Sequence, residues 1–252
     1  MLGVKRVPSA EPQLLDEDDR IEDDIGEGLE EAELAALIAG FKPSSMYVPV
    51  ALDAATGVRR NELLAFRWSD VDFEKKTIKV ERAWENTEKY GLRLKPPKTK
   101  RGFRTIELDD ATLALLLEEK KKHQRILAGV PDNADVDLSL IQLPPTALIF
   151  PAVPEAGEDF DFTKPRNPRY FSKAFAYRAG QLGFGRIRFH DLRGIHSTAL
   201  LDAGIPPHTV AQRIGDDPVT LLRNYAKRKR SNKANESVVS AITAIAAGFL
   251  GK

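Results

Sequence analysis

The stretch FHDLRGIHSTALLDAGIPPHTVAQRIGDDPVTLLRNYAKRKR, residues 189–230, decides how the chain is read. HDLRGIHSTALLDAG and HTVAQRIG each read as a helix closed by glycine, and VTLLRNYAKRKR as a third. His190 and Arg193 are three residues apart, so on a helix they share a face. An imidazole that can move a proton beside a guanidinium that can bind an anion suits phosphoryl chemistry. Taken alone, the pair is read equally well as a helix-end histidine beside a solvated arginine. Tyr225 taken alone is the ordinary core tyrosine of an amphipathic helix. It is followed by AKRKR, cations of the kind that bind a nucleic-acid backbone.

Working outward, SVVSAITAIAAGFL after this stretch reads as a last apolar helix. Before it, NPRYFSKAFAYRAGQLG and ATLALLLEEKKKHQRILAG have helical spacing, and ALIFPAV reads as extended. The Pro- and Asp-rich residues 129–147 read as a loop. KKTIKVERAWENT and LRLKPPKTKRGFRTIEL alternate like strands about a turn near Lys89–Gly91, with a basic hairpin expected from Leu94 to Ile106. EEAELAALIAGF and MYVPVALDAATG read as helices, the second ending at Gly57, and NELLAFRWSDVDF as a short helix that turns. The expectation is an α+β fold, mainly helical, with a small antiparallel sheet of about three strands at one edge.

Two further segments carry candidate chemistry. TGVRRNE, residues 56–62, sets arginines just past a glycine at a helix start, where a guanidinium can meet an anion or simply face solvent. PPKTKRGFRTI, residues 96–106, holds lysines that could reach phosphate or merely be solvated.

The chain has no Cys, which excludes a disulfide framework, a Cys-ligated zinc site and a thiol nucleophile, and fits a reducing cytoplasm. No apolar run approaches the roughly 18 residues of a membrane helix. The net charge of +1 hides segregation: residues 1–34 hold 12 of the 37 acidic side chains but 3 of the 38 basic ones. The rest therefore carries a surplus of about ten positive charges, which favours a polyanionic partner. Residues 1–28 read as an acidic flexible leader.

Together these elements resemble the tyrosine recombinase (phage integrase) family over roughly residues 30–235. ATGVRRNELLAFRWSDVDF is similar to the family's first box and implies a catalytic Arg59 supported by Glu62. HDLRGIHSTALL resembles the second box and implies His190 and Arg193. PPKTKRGFRTI is similar to the segment bearing the catalytic lysine, implying Lys98, with Lys100 as second choice. RNYAK resembles the nucleophile segment and implies Tyr225. Nine positions earlier the family carries His or Trp, and this chain has Asp216. An ionised carboxylate there cannot donate a proton and repels phosphate, which implies reduced efficiency.

The resemblance implies a recombinase catalytic domain over residues 29–236, with residues 237–252 as an apolar helix able to dock on a neighbouring protomer. Family members carry a helical DNA clamp ahead of the first box. The segment before Arg59 is too short for one, so the chain reads as a catalytic domain without it, excised or naturally short. Implied partners are double-stranded DNA and three further copies of the chain, with no metal, cofactor or membrane. Arg60, Arg101, Arg104, Lys227 and Arg228 are candidate contacts to the DNA backbone. The implied setting is the cytoplasm of a bacterium, nucleoid-associated and bacterial or phage-encoded. Competing readings are a catalytically weak DNA-binding regulator of the same fold, a type IB topoisomerase-like activity and a helical interaction module.

Overall fold

The computed structural model describes residues 28–87, 89–97 and 100–228, apart from the side chains of Lys100 and Arg228. The expected leader (except Gly28), Lys98 and the segment 237–252 lie outside the described residues.

Local sequence explains the helix ends. Helix α1 (Glu31–Gly40) begins where Glu33 accepts a hydrogen bond from the Glu30 amide at 2.9 Å. Helix α2 (Tyr47–Thr56) stops at Gly57, whose φ of 64° suits glycine. One turn, α3 (Arg60–Leu63), follows, and a 3₁₀ turn at Trp68–Asp70 leads into the strands. These are β1 (Val71–Asp72), β2 (Thr77–Val80), β3 (Ala83–Thr87), β4 (Gly91–Lys95) and β5 (Arg104–Glu107). Asp109 caps α4 (Asp110–Ala128) by accepting from the Thr112 amide. Asn167 caps α5 (Pro168–Gln181), whose first residue is a proline with no N–H to satisfy. Three helices close the described chain: α6 (Asp191–Asp202), α7 (Pro207–Ile214) and α8 (Pro218–Arg228).

The strands form two antiparallel units. One has the order β1-β2-β5, with Ile78 opposite Ile106, both fully buried. The other is the ribbon β3-β4. This corrects the hairpin expected from Leu94 to Ile106. Leu94 pairs with Trp84 in the ribbon, whereas Ile106 pairs with Ile78 in the three-stranded sheet. Strand β4 ends at Lys95 in one unit and β5 begins at Arg104 in the other. Pro96 and Pro97 have no amide hydrogen to extend a ladder, so pairing ends at Lys95.

One apolar cluster joins α1–α6 to the sheet. Phe41 stacks on Phe175 at 5.2 Å between ring centroids, and Phe189 meets Phe171 and Phe175 edge-on. Trp68 donates its indole N–H to His123 Nδ1 at 3.0 Å. Burial holds that histidine neutral, its pKa pushed down to about 4. A second, small cluster of Val210, Ala211, Ile214 and Leu221 ties α7 and α8 to Leu200 and Leu201 of α6. Leu221 is the one buried residue among the described side chains of α8. Its burial contributes roughly 1.5–3 kcal/mol, so this helix is lightly held.

Candidate active site

The C-terminus of α7 organises the site. The last carbonyls of a helix lack intrahelical partners and carry partial negative charge. Three guanidiniums fill that vacancy. Arg104 donates to Arg213 O at 2.8 Å, Arg193 to Ile214 O at 2.7 Å and Arg59 to Gly215 O at 3.2 Å. Residues far apart in sequence are thereby fixed on three consecutive carbonyls.

Arg193 also donates to Gly57 O at 2.8 Å and to Asp216 Oδ2 at 3.2 Å. Burial and the neighbouring Arg59 lower its pKa to about 10, which leaves it cationic at neutral pH. Arg59 precedes α3 and keeps 27% of its side chain exposed, so it can meet a ligand. Glu62 sits beneath, accepting both NH groups of Arg104 at 3.2 and 2.8 Å and the Arg59 amide at 3.1 Å. Burial alone would raise the pKa of Glu62, but the Arg104 charge and hydrogen bonds, helped by Arg59 and Arg193, hold it below the usual carboxylate range.

Two glycines permit the close approach. A Cβ at Gly57 would stand 2.6 Å from the His196 ring. At Gly215, φ is 73° and a Cβ would stand 2.7 Å from Arg104. His196 and Arg213 brace the same joint and were not singled out in the sequence. Arg213 Nε donates to His196 Nε2 at 3.3 Å, so Nδ1 carries the proton given to Ala54 O at 3.0 Å. Burial, then the Arg213 charge, pushes the His196 pKa down to about 4. The only sequence signal for this pair was a basic residue in the last turn of α7.

A small cavity of about 30 Å³ brings His190, Arg193, Asp216 and Tyr225 together, with Gly194, Thr198 and Asn224 also on its wall. The Tyr225 hydroxyl donates to Asp202 Oδ1 at 2.8 Å, at the far end of α6. Beside this cavity runs a groove of about 780 Å³ between the residues around β5 and α7, lined by Arg101, Phe103, His208 and Gln212 among others.

The backbone-contact candidates divide. Arg60 is buried, donating to Ser172 Oγ at 2.8 Å, so it faces α5 rather than a ligand. Arg104 keeps only 4% of its side chain exposed and is spent on Glu62 and the α7 terminus. Both side chains are therefore engaged within the fold: at a helix start the residue facing inward is set by packing, and a buried carboxylate requires a buried cation. Arg101 is exposed and pairs with Asp217 at 3.3 Å, and Lys227 is exposed. Among the described residues no cluster of His, Cys, Asp and Glu could hold a metal ion, and no helix is long and apolar enough to cross a membrane.

Comparison with known proteins places the chain in a family and a fold. A tyrosine recombinase XerC-like protein of Caldanaerobacter subterraneus subsp. tengcongensis is 24% identical over 217 residues, 82% of this chain and 51% of the relative. The ICEBs1 integrase of Bacillus subtilis is 24% identical over 183 residues, 72% of this chain and 44% of its own length. The chain thus spans about half the length of these curated relatives. Among solved structures, the Tn1549 transposon integrase in complex with transposon right-end DNA superposes with a TM-score of 0.64 at 17% identity, covering 86% of this chain and 66% of that one. XerA recombinase gives 0.59 at 18% identity, covering 93% and 66%. Residues 29–232 match the phage integrase family, and the chain belongs to it.

Proposed function

We propose that residues 29–236 form the catalytic unit of a site-specific recombinase that breaks and rejoins DNA strands through Tyr225. The observation that carries this reading is the convergence of Arg59 and Arg193 on consecutive carbonyls at the end of α7, beside a cavity shared by His190 and Tyr225. A phosphodiester between the two guanidiniums has its non-bridging oxygens held by paired N–H donors, a geometry that lysine cannot reproduce. Preorganised donors of this kind are worth roughly 3–4 kcal/mol each.

The reaction is a transesterification. The Tyr225 oxygen attacks the scissile phosphorus, the 5′-oxygen leaves, and a 3′-phosphotyrosine forms. Attack by a 5′-hydroxyl from another strand reverses the step and frees the tyrosine. His190 assists removal of the phenol proton, whose ordinary pKa near 10 makes the neutral group a weak nucleophile. Lys98, or Lys100 in its place, protonates the leaving oxygen. Two guanidiniums supply the charge that a divalent cation supplies in other phosphoryl-transfer sites, so cleavage proceeds in EDTA. Asp216 occupies Arg193 and adds negative charge beside the phosphate position, which lowers the rate. Exchange between two duplexes requires four protomers, so the working assembly is a tetramer on DNA, at the nucleoid. The groove beside β5 and α7, with the exposed Arg101 on its wall, is the path assigned to the duplex.

The test is a pool of nicked duplexes with randomised cores, incubated with protein and run on a denaturing gel. Wild type forms a covalent adduct and Tyr225→Phe binds without forming one. An adduct in Tyr225→Phe removes the tyrosine from its role.

A further inference from the structure

The Tyr225 hydroxyl is engaged at the end of α6 opposite the turn that carries Arg193. It donates to Asp202 Oδ1 at 2.8 Å, and Asp202 is the last residue of α6. Arg193 lies nine residues earlier on the same helix, about 13 Å back along its axis at 1.5 Å per residue. A carboxylate at a helix C-terminus stands against the dipole there, so local helix preference does not explain Asp202. A phenol that donates to a carboxylate keeps its proton, and the neighbouring negative charge opposes phenoxide formation.

The geometry points to Asp202 as a latch that parks Tyr225 out of line until DNA engages the site. This rests on the reading of Tyr225 as nucleophile. Three features make the latch releasable. Helix α8 is docked through a single buried side chain, Leu221, among those described. The Asp202–Tyr225 bond is itself exposed, so water can take over either partner. Finally, Gly194, Thr198 and Asp202 follow one another at four-residue spacing and so form one stripe of α6, the first two lining the cavity with Tyr225. Thr198 Oγ1 is buried there with no hydrogen-bond partner among the described residues. It offers an acceptor one turn closer to Arg193, and Gly194 beyond it presents no side chain to block the ring. Asp202 is therefore a positioning residue that acts through Tyr225.

The experiment uses the full chain with 3-fluorotyrosine at position 225, as wild type, Asp202→Ala and Asp202→Asn, each checked for an unchanged Tm. Fluorine NMR of the free protein reads the contact without any reaction. Single-turnover adduct formation on a saturating nicked duplex selected from the randomised pool reads its consequence. Asp202→Ala is expected to move the fluorine resonance and to speed adduct formation roughly 3- to 10-fold, the worth of an exposed hydrogen bond to a charged acceptor, with DNA affinity unchanged. Asp202→Asn, whose amide oxygen still accepts, is expected to fall between. A resonance identical in wild type and Asp202→Ala overturns the latch, as does an unchanged or slower rate in folded Asp202→Ala. A moved resonance with no adduct in any variant overturns instead the assignment of Tyr225 as nucleophile.

Discussion

Replacing Glu62 by glutamine keeps the shape of the side chain and removes its charge. The wild-type carboxylate and its Arg104 partner each leave 4% of their side chains exposed. Three guanidiniums, Arg59, Arg104 and Arg193, meet at this joint against two carboxylates, Glu62 and Asp216. The variant leaves three against one, with the lost charge at a position where water screens little. Breaking one half of a buried pair typically costs 3–5 kcal/mol, and the amide oxygen can still accept one hydrogen bond from Arg104, so about 3 kcal/mol is expected at pH 7. The pKa of Glu62 is lower in the folded chain than its ordinary value of 4.5. Its contribution is therefore complete above pH 4.5 and is lost as pH falls through the folded value. Urea unfolding of wild type and Glu62→Gln from pH 7 down to pH 3 measures both features. The midpoints should lie well apart at pH 7 and draw together in acid. A difference under about 1 kcal/mol at pH 7, or one that widens on acidification, would show that Glu62 is not the countercharge of this cluster.

Other outcomes follow from the same joint. Arg193→Lys should lower adduct formation by roughly 10²–10³-fold, since one ammonium cannot span Gly57 O, Ile214 O and Asp216 while facing phosphate; equal rates would separate Arg193 from catalysis. Asp216→His should raise cleavage by relieving the negative charge on Arg193, and an unchanged rate means that the position is rebuilt around aspartate. Gly57→Ala should cost roughly 2 kcal/mol or more in urea unfolding, because φ is 64° and the new methyl meets His196. His123 and His196 titrate near 4 in the folded chain against 6.5 ordinarily, so unfolding takes up protons between these values. Stability should be full above pH 6.5 and fall toward pH 4, and His196→Gln should flatten that slope in a urea-midpoint series.

Much of the molecule is written locally. Asp109, Asn167 and Pro168 mark helix starts, Gly57, Gly129 and Gly215 mark helix ends, and the three-residue step from His190 to Arg193 needs no tertiary information. These are effects within one or two turns of chain, where periodicity and capping chemistry suffice. Strand partnership was not local. The alternation from Leu94 to Ile106 suggested one hairpin, whereas its two ends belong to different sheets, because each strand pairs where its buried face finds a partner.

The amino-acid sequence by itself determined the α+β class, the helices and the order of the side chains that mark the family. Only the tertiary structure decided that Arg59 faces the site while Arg60 faces Ser172, that Arg104 is a buried strut, and that Tyr225 rests on Asp202. The physical reason is that each of these choices is made by an acceptor that a different segment of the chain supplies, which no local pattern encodes. The end of α7 supplies three such acceptors, and Arg59 reaches its own across 156 residues of chain.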